Sequence, residues 1–200
     1  MIHINLLDKL NNLYLNTKKN LRNIYQKSNF YNKKLSKINN KNFEYKPSPH
    51  LLSSIVKYQK KKYKIEDFAL DSIWKSDINL NDYQKLNNFF WFFSLDLKSS
   101  KKETQYIISN WINKNNRFNE KSWNFDLTAK RIISWLSNHQ LTYEDSNDEF
   151  KLEFDYSIQK QTNHLLNEIE NSSEFENKII GCAAIILTGL AYKEHKNYLE

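Results

Sequence analysis

The sequence contains very few residues that punctuate regular structure. Of its 200 residues only two are glycine, Gly181 and Gly189, and two are proline, Pro47 and Pro49. Hairpin turns, phosphate-binding loops and dinucleotide fingerprints all require glycine at fixed positions. The shortage excludes folds that depend on such turns and predicts an all-α protein.

Cysteine and long apolar runs are equally scarce. The single cysteine, Cys182, excludes an intramolecular disulfide and any multi-cysteine zinc site. It lies in the longest apolar run, Ile179 to Tyr192, so we expect it to be buried and catalytically inert. At about 14 residues this run is shorter than the roughly 20 that a membrane span needs. The sequence therefore predicts a buried helix here and no membrane span.

Acidic residues are scarce in one part of the chain. The 30 basic and 23 acidic residues give a net charge of +7, but residues 1–64 carry +13 and residues 65–200 carry −6. The 28 asparagines and 27 lysines have AT-rich codons, so the lysine content partly reflects genome bias. Nucleic acid is therefore a disfavoured partner. It remains the alternative partner, which would bind the lysine runs between Lys18 and Lys64.

The start of the chain shows no secretory signal. Met1 to Leu10 has neither a basic start followed by an apolar run nor a small-residue cleavage site. Absence of a signal peptide predicts a cytoplasmic protein, with the periplasm as the alternative location.

Apolar spacing predicts a series of helices. Residues 2–42 have a weak helical pattern, which predicts one or two exposed helices. The segment Tyr45 to His50 is predicted to be a linker, because a residue that precedes a proline favours an extended backbone. A short helix from about Leu51 and a lysine-rich loop follow. Stronger patterns then predict helices over 80–97, 101–114, 124–140, 148–170 and 174–194. Short connections favour antiparallel helical hairpins, and no internal repeat is evident.

Helix 124–140 carries two different stripes. Phe125, Ala129 and Ile132 belong to an apolar stripe. A second stripe, with a tryptophan just before the helix, combines indole, guanidinium, amide and imidazole groups, which can stack on a sugar ring and bind its carboxylate. An Arg and a Trp four residues apart also commonly stack within a core, so a structural role remains open. The candidate substrate-binding residues are Trp123, Arg131, Trp135, Asn138 and His139.

The remaining histidines give no metal or catalytic signature. His3 and His50 lie in the irregular N-terminal third, and His164 and His195 fall on polar helix faces, where solvated histidine is expected. No pair has metal-ligand spacing with a suitable carboxylate. The sequence predicts no metal.

Four segments together resemble the N-terminal region of the heparinase II/III family, particularly its alphaproteobacterial members. They are, in order, Phe89-Phe-Trp-Phe-Phe-Ser-Leu-Asp-Leu97, Ile108-Ser-Asn-Trp-Ile112, Trp123, and Ala129-Lys-Arg-Ile-Ile-Ser-Trp-Leu136 with His139. The run from Ile179 to Ala191 is similar to the small-residue helix that follows in the family. The resemblance covers residues 48–195, and Lys130 replaces a frequent second arginine.

The resemblance implies a polysaccharide lyase built from an α/α toroid and a β-sandwich. Such enzymes cleave uronic-acid-containing chains by β-elimination: a donor neutralises the C5 carboxylate, a Tyr or His removes the C5 proton, and the C4 oxygen leaves. The family places its catalytic Asn, Tyr and His further along the chain than residue 200. The resemblance therefore implies an acidic polysaccharide as partner, no cofactor, and no catalytic residue within these 200 residues.

The family comparison also sets the expected architecture. Residues 1–46 are a basic N-terminal extension, and residues 47–200 are antiparallel helical hairpins forming part of an incomplete (α/α) toroid. We expect a truncated lyase that is inactive alone, with an exposed apolar face on 179–192 onto which a missing C-terminal half or a second chain docks. The alternative is a helical interaction module whose basic N-terminal region binds an acidic partner such as nucleic acid.

Overall fold

The computed structural model describes residues 6–38, 43, 80–96, 98–172 and 174–192, and in these ranges every regular element is a helix. This confirms the all-α prediction. The linker at Tyr45 to His50, the short helix from Leu51 and the lysine-rich loop lie outside the described residues. The α-helices are α1 (Leu6–Lys27), α2 (Asn29–Leu35), α3 (Leu80–Asn87), α4 (Lys101–Lys114), α5 (Phe125–Ser137), α6 (His139–Thr142), α7 (Asp148–Glu168) and α8 (Phe175–Ala191), with 3-10 helices at Phe90–Ser94 and Ile169–Asn171.

Side-chain caps fix where α4, α5 and α7 begin. The Ser100 hydroxyl accepts a hydrogen bond from the Glu103 N–H, and the Asn147 side chain accepts one from the Phe150 N–H. The Asn124 side chain caps α5 in the same way. Such caps satisfy backbone donors that have no partner within the helix. The predicted helices over 101–114, 124–140 and 148–170 are confirmed within a few residues, although Asn138 separates α5 from α6.

The predicted continuous helix over 80–97 is wrong, because the chain breaks at Phe89. This residue has a left-handed backbone with φ of 57°, and its ring is fully buried. The Asn88 side chain accepts a hydrogen bond from the Phe90 N–H and so starts the 3-10 helix. A positive φ is unfavourable for a bulky residue. Here the Ser134 hydroxyl donates to the Phe89 carbonyl at 2.6 Å and holds the turn against α5.

Helices α5 and α7 are antiparallel. Arg131 on α5 donates to Gln161 on α7, and four residues later Trp135 packs on Phe154, about two turns earlier on α7. Residue numbers thus rise along one helix as they fall along the other. This arrangement confirms the predicted antiparallel packing for this pair.

Helices α7 and α8 are antiparallel in the same way. The Thr162 and Thr188 hydroxyls lie 3.1 Å apart, and the Tyr192 hydroxyl at the end of α8 donates to the Asp155 carboxylate at 2.7 Å. Since α5 and α8 are each antiparallel to α7, they run parallel to each other. Their mutual contact is the most extensive between any two described helices.

Helices α4 and α7 form a second parallel pair. Ser109 on α4 donates to Glu153 near the start of α7, and Lys160, two turns further along α7, donates to the Asn116 carbonyl just after α4. These four helices therefore form two layers, α4 with α7 and α5 with α8. The shared core between the layers is rich in aromatic side chains.

Gly181 allows α8 to approach α5 closely. A Cβ atom at this position would lie 2.4 Å from the Phe125 Cζ atom. We expect Gly181→Val to lower the free energy of unfolding by about 1–3 kcal/mol because the added methyl groups overpack the contact. Chemical denaturation of Gly181→Val, Phe125→Leu and the double variant measures this. The double variant should recover part of the loss, and strictly additive effects would contradict the proposed contact.

The two N-terminal helices differ in burial. Helix α1 is largely exposed, as predicted, but the expectation of an exposed helix is wrong for α2. Tyr31 and Leu35 on α2 are fully buried and pack in a small cluster with Trp123. The basic N-terminal region is thus attached to the helical layers through α2. Local sequence patterns do not indicate this packing because the partners of Tyr31 lie roughly 90 to 130 residues away.

Helix α8 has an exposed apolar stripe. Of the six side chains expected to contribute, Ile179, Ala183, Ile186 and Leu190 are exposed, Ile180 is half-buried and Leu187 is buried. The predicted exposed face is therefore confirmed. Cys182 lies on the same side and is exposed, so the expectation that it is buried is wrong. An all-round apolar helix does not reveal which of its sides faces the core.

Candidate functional site

The five residues proposed to bind a sugar do not line a surface groove. All of them are at least 95% buried. A sugar-binding role would require an accessible guanidinium, but that of Arg131 is fully buried because α5 packs against α8 on one side and against α7 on another. The polar stripe therefore faces the interior between the two helical layers. The buried residues are Trp123, Arg131, Trp135, Asn138 and His139.

Arg131 is the polar centre of this interior. Its Nε donates to the Gln161 Oε1 at 2.7 Å, one terminal nitrogen donates to the Asn87 carbonyl at 2.8 Å, and the other donates to the Thr128 hydroxyl at 3.3 Å. The guanidinium carbon lies 3.8 Å from the centre of the Trp111 ring. Burial lowers the pKa of Arg131 well below its usual value. The group links α3, α5 and α7 and does not meet solvent.

Trp135 belongs to an aromatic cluster. Its ring makes edge contacts with Phe89 and Trp111, at centroid distances of 5.2 and 5.5 Å, and packs on Phe154 at 5.6 Å. No described residue accepts a hydrogen bond from its indole N–H. Edge-to-face contacts of this kind stabilise cores beyond the area they bury. The surroundings of Trp135 are those of a core residue.

The other three predicted residues hold turns together. The Trp123 indole donates to the Asn115 carbonyl at 3.0 Å, and the Asn138 amide donates to the Ser134 carbonyl at 2.8 Å. His139 lies 3.4 Å from a Glu144 carboxylate oxygen. These contacts fix the loop before α5 and the turn after it. Trp123 also lines a surface cleft.

His164 was expected on a solvated helix face, and this prediction is wrong. Its Nδ1 lies 2.8 Å from the Tyr31 hydroxyl and its Nε2 lies 2.8 Å from the Trp123 carbonyl. A carbonyl only accepts, so Nε2 carries the proton and the tyrosine donates to Nδ1. Burial lowers the pKa of His164 to about 3, which keeps the ring neutral. His164 on α7 therefore links α2 to the loop before α5.

Asp155 is a second buried titratable group that the sequence analysis missed. Its two carboxylate oxygens accept hydrogen bonds from Tyr143 at 3.0 Å and from Tyr192 at 2.7 Å. Burial raises the pKa of Asp155 to about 6, and both hydroxyls oppose that rise. The two tyrosines and the carboxylate join α7 to the end of α8. Their closed arrangement is that of a structural hydrogen-bond network.

The accessible site lies between α1 and the end of α7. It is a cleft of about 320 Å³ on one side of α1. Arg22 and Glu168 form an ion pair across it, and burial lowers the pKa of Arg22. Cationic, amide and aromatic groups lie side by side along its walls. The lining residues are Lys19, Arg22, Asn23, Gln26, Phe118, Glu120, Trp123, Asn124, Phe125, His164, Glu168, Asn171 and Ser172.

The cleft lining carries as many carboxylates as cations. Arg22 pairs with Glu168, and Glu120 pairs with Lys27, so Lys19 is the lining charge that a polar, negatively charged ligand would meet. Lys19 supplies an exposed cation, and Asn124 and Asn171 supply amide groups. The His164 ring nitrogens are both engaged in hydrogen bonds, so the ring is poorly placed to remove a proton from a ligand. Within the described ranges, no cluster of three His, Cys, Asp or Glu side chains has a metal-binding arrangement.

Comparison with known proteins identifies no relative of this chain. No family model, no curated protein and no solved structure matches it. The likeness to the heparinase II/III family therefore depends on the order and spacing of the sequence motifs.

Proposed function

We propose that these residues form the N-terminal helical layers of an α/α-toroid polysaccharide lyase that acts on uronic-acid-containing chains. In this proposal they support the toroid and bind substrate, and they do not carry out the elimination. The buried stripe on α5 stabilises the layers. The cleft between α1 and α7, and not that stripe, contacts the acidic saccharide.

The layered arrangement of the hairpins is the observation that carries the architectural part. Toroids of this type repeat an αα-hairpin so that like helices run parallel within a layer. The pairs α4 with α7 and α5 with α8 follow this rule. The exposed apolar stripe of α8, with Ile179 and Ile186 at its centre, offers the next helix of that layer a packing surface. In this proposal a further hairpin of the same protein packs on this stripe and continues the repeat.

The groups in the cleft support the saccharide part. Uronate rings carry a carboxylate and several hydroxyls, which lysine, arginine and amide side chains can bind. Lys19 faces the cleft, whereas Lys18, its neighbour in sequence, points about 100° away around α1. The two lysines therefore form a matched pair for an experiment.

Binding of uronate oligosaccharides tests the proposal. We expect Lys19→Ala to weaken the affinity for oligosaccharides of hyaluronan, heparin or alginate by about threefold, the scale of one exposed charge contact. Lys18→Ala should leave the affinity unchanged. Isothermal titration calorimetry measures both.

We also expect no rise in ultraviolet absorbance from an unsaturated uronate, because the described residues hold no suitable proton acceptor in the cleft.

Two outcomes would contradict this function. Equal losses in both lysine variants would indicate non-specific attraction to a basic surface. A robust rise in absorbance that depends on Arg131 and His139 would place the elimination machinery within this chain.

A basic interaction module is the second candidate function, since α1 is exposed and carries five basic residues against one acidic. Binding to nucleic acid would use these charges alone. It does not account for the large apolar side chains that α1 also exposes.

A further inference from the structure

Helix α1 exposes its apolar side and attaches to the protein through its polar side. At 100° per residue, five large apolar side chains fall within an arc of about 100° around the helix axis. Their exposed fractions lie between 54% and 68%. This set, termed the apolar arc, consists of Leu10, Leu13, Tyr14, Leu21 and Ile24.

Most contacts with the rest of the protein come from the opposite side of α1, apart from Tyr25, which packs on Tyr31, and Lys27, which pairs with Glu120. Gln26 is buried, Arg22 pairs with Glu168, and Lys19 and Asn23 line the cleft. A surface helix normally packs its apolar face on the core and leaves its polar face in water. The inverted orientation of α1 means that the apolar arc is not needed for packing on the described helices. It is available to something outside them.

Lysines border the apolar arc on both sides. On the helical projection Lys18 lies just beyond one edge, and Lys9 and Lys27 lie just beyond the other. All three are exposed, and Lys27 also makes a 3.6 Å ion pair with Glu120. The whole helix carries a net charge of +4. An apolar stripe between cationic borders is the pattern of helices that lie flat on anionic membranes.

The same charges disfavour pairing of α1 with a second copy. Helices that associate through an apolar seam usually place opposite charges along its edges. Two copies of α1 would bring lysines against lysines in either orientation, and the helix has a single acidic residue, Asp8, against five basic ones.

We propose that α1 binds peripherally to membranes rich in anionic lipids. The apolar arc enters the boundary between headgroups and acyl chains, and the bordering lysines contact lipid phosphates. The helix lies along the surface and does not cross the bilayer, which agrees with the finding that none of the described helices is long and apolar enough to span a membrane. This inference does not depend on the proposed lyase function, because the cleft is on the other side of α1.

Vesicle co-sedimentation tests the proposal with the full chain. We expect the protein to bind vesicles of phosphatidylglycerol and phosphatidylcholine at least about tenfold more strongly than vesicles of phosphatidylcholine alone, and to lose this preference at high salt. Leu13→Ser should reduce binding to the anionic vesicles by about tenfold because it removes an inserted side chain. Leu15→Ser is the matched control, since Leu15 is 52% exposed on the same helix but lies outside the apolar arc.

Several results would overturn the proposal. Equal binding by Leu13→Ser and Leu15→Ser would show that the apolar arc does not insert. Equal binding to both vesicle types would remove the role of the lysines. Binding to a single-stranded oligonucleotide that matches the vesicle affinity and is unaffected by Leu13→Ser would assign α1 to nucleic acid. A dimer in sedimentation velocity that Leu13→Ser dissociates would assign the arc to a second copy.

Discussion

Replacing Arg131 with alanine is expected to lower the free energy of unfolding by about 3–5 kcal/mol, as large truncations in a core do. The change removes the ring contact with Trp111 and leaves the Gln161 amide oxygen and the Asn87 carbonyl without their donor. Unpartnered buried acceptors are costly because they have given up water without a replacement. Urea denaturation followed by circular dichroism measures the loss.

Lys130→Ala is the control for this experiment. Lys130 precedes Arg131 on the same helix and forms a half-buried ion pair with Asp126 at 2.7 Å. Its removal should cost about 0.5 kcal/mol, the usual scale of such pairs. If Arg131→Ala unfolds the protein, Arg131→Met keeps the side-chain volume and should show an intermediate loss. A stability loss for Arg131→Ala no greater than that for Lys130→Ala would contradict the structural role of the guanidinium.

The Asp155→Asn variant is expected to lose about 2.5 kcal/mol of stability relative to the wild type as the pH falls from 7.5 to 4. The pKa of Asp155 is raised to about 6 in the folded protein, against 3.8 when unperturbed. Between these two values the folded wild type binds a proton that the unfolded chain does not, so its stability rises as the pH falls. About two pH units at 1.36 kcal/mol each give the expected size. An asparagine at this position does not titrate, so the variant does not gain this stability as the pH falls.

Denaturant titrations of both proteins at several pH values measure this difference. Other titrating groups, such as the buried His164, affect both proteins equally and cancel in the comparison. Glu153→Gln, which removes a neighbouring half-buried carboxylate that accepts from Ser109, provides a control on the same helix. A stability difference between Asp155→Asn and the wild type that does not change with pH would show that Asp155 has an ordinary pKa.

The sequence predicts the long helices well because their signals are local. Helix α4 has a serine cap, an acidic first turn and apolar residues at helical spacing, all within Ser100 to Lys114. The break at Phe89 has no comparable signal. A helical projection of the aromatic run from Phe89 to Phe93 is the same whether the chain continues as a helix or turns. The turn depends on a hydrogen bond from Ser134, 45 residues away.

The candidate site was harder to predict because its polar residues have distant partners. Arg131 is satisfied by Asn87 and Gln161, and His164 by Tyr31 and Trp123. A helical projection shows that these polar groups share a face, but not whether that face meets water or another helix. The cleft between α1 and α7 depends on how α2 docks, which no local pattern encodes.

A titration of the isotopically labelled protein with uronate oligosaccharide, followed by nuclear magnetic resonance, tests most directly whether the stripe on α5 is core and the cleft is the contact surface. We predict that the largest shifts occur at Lys19, Asn171 and the Trp123 indole, which line the cleft. The signals of the Trp135 indole and the Asn138 amide should stay unchanged. Shifts centred on Trp135 and Asn138, with Lys19 unaffected, would contradict the account and return the sugar site to α5.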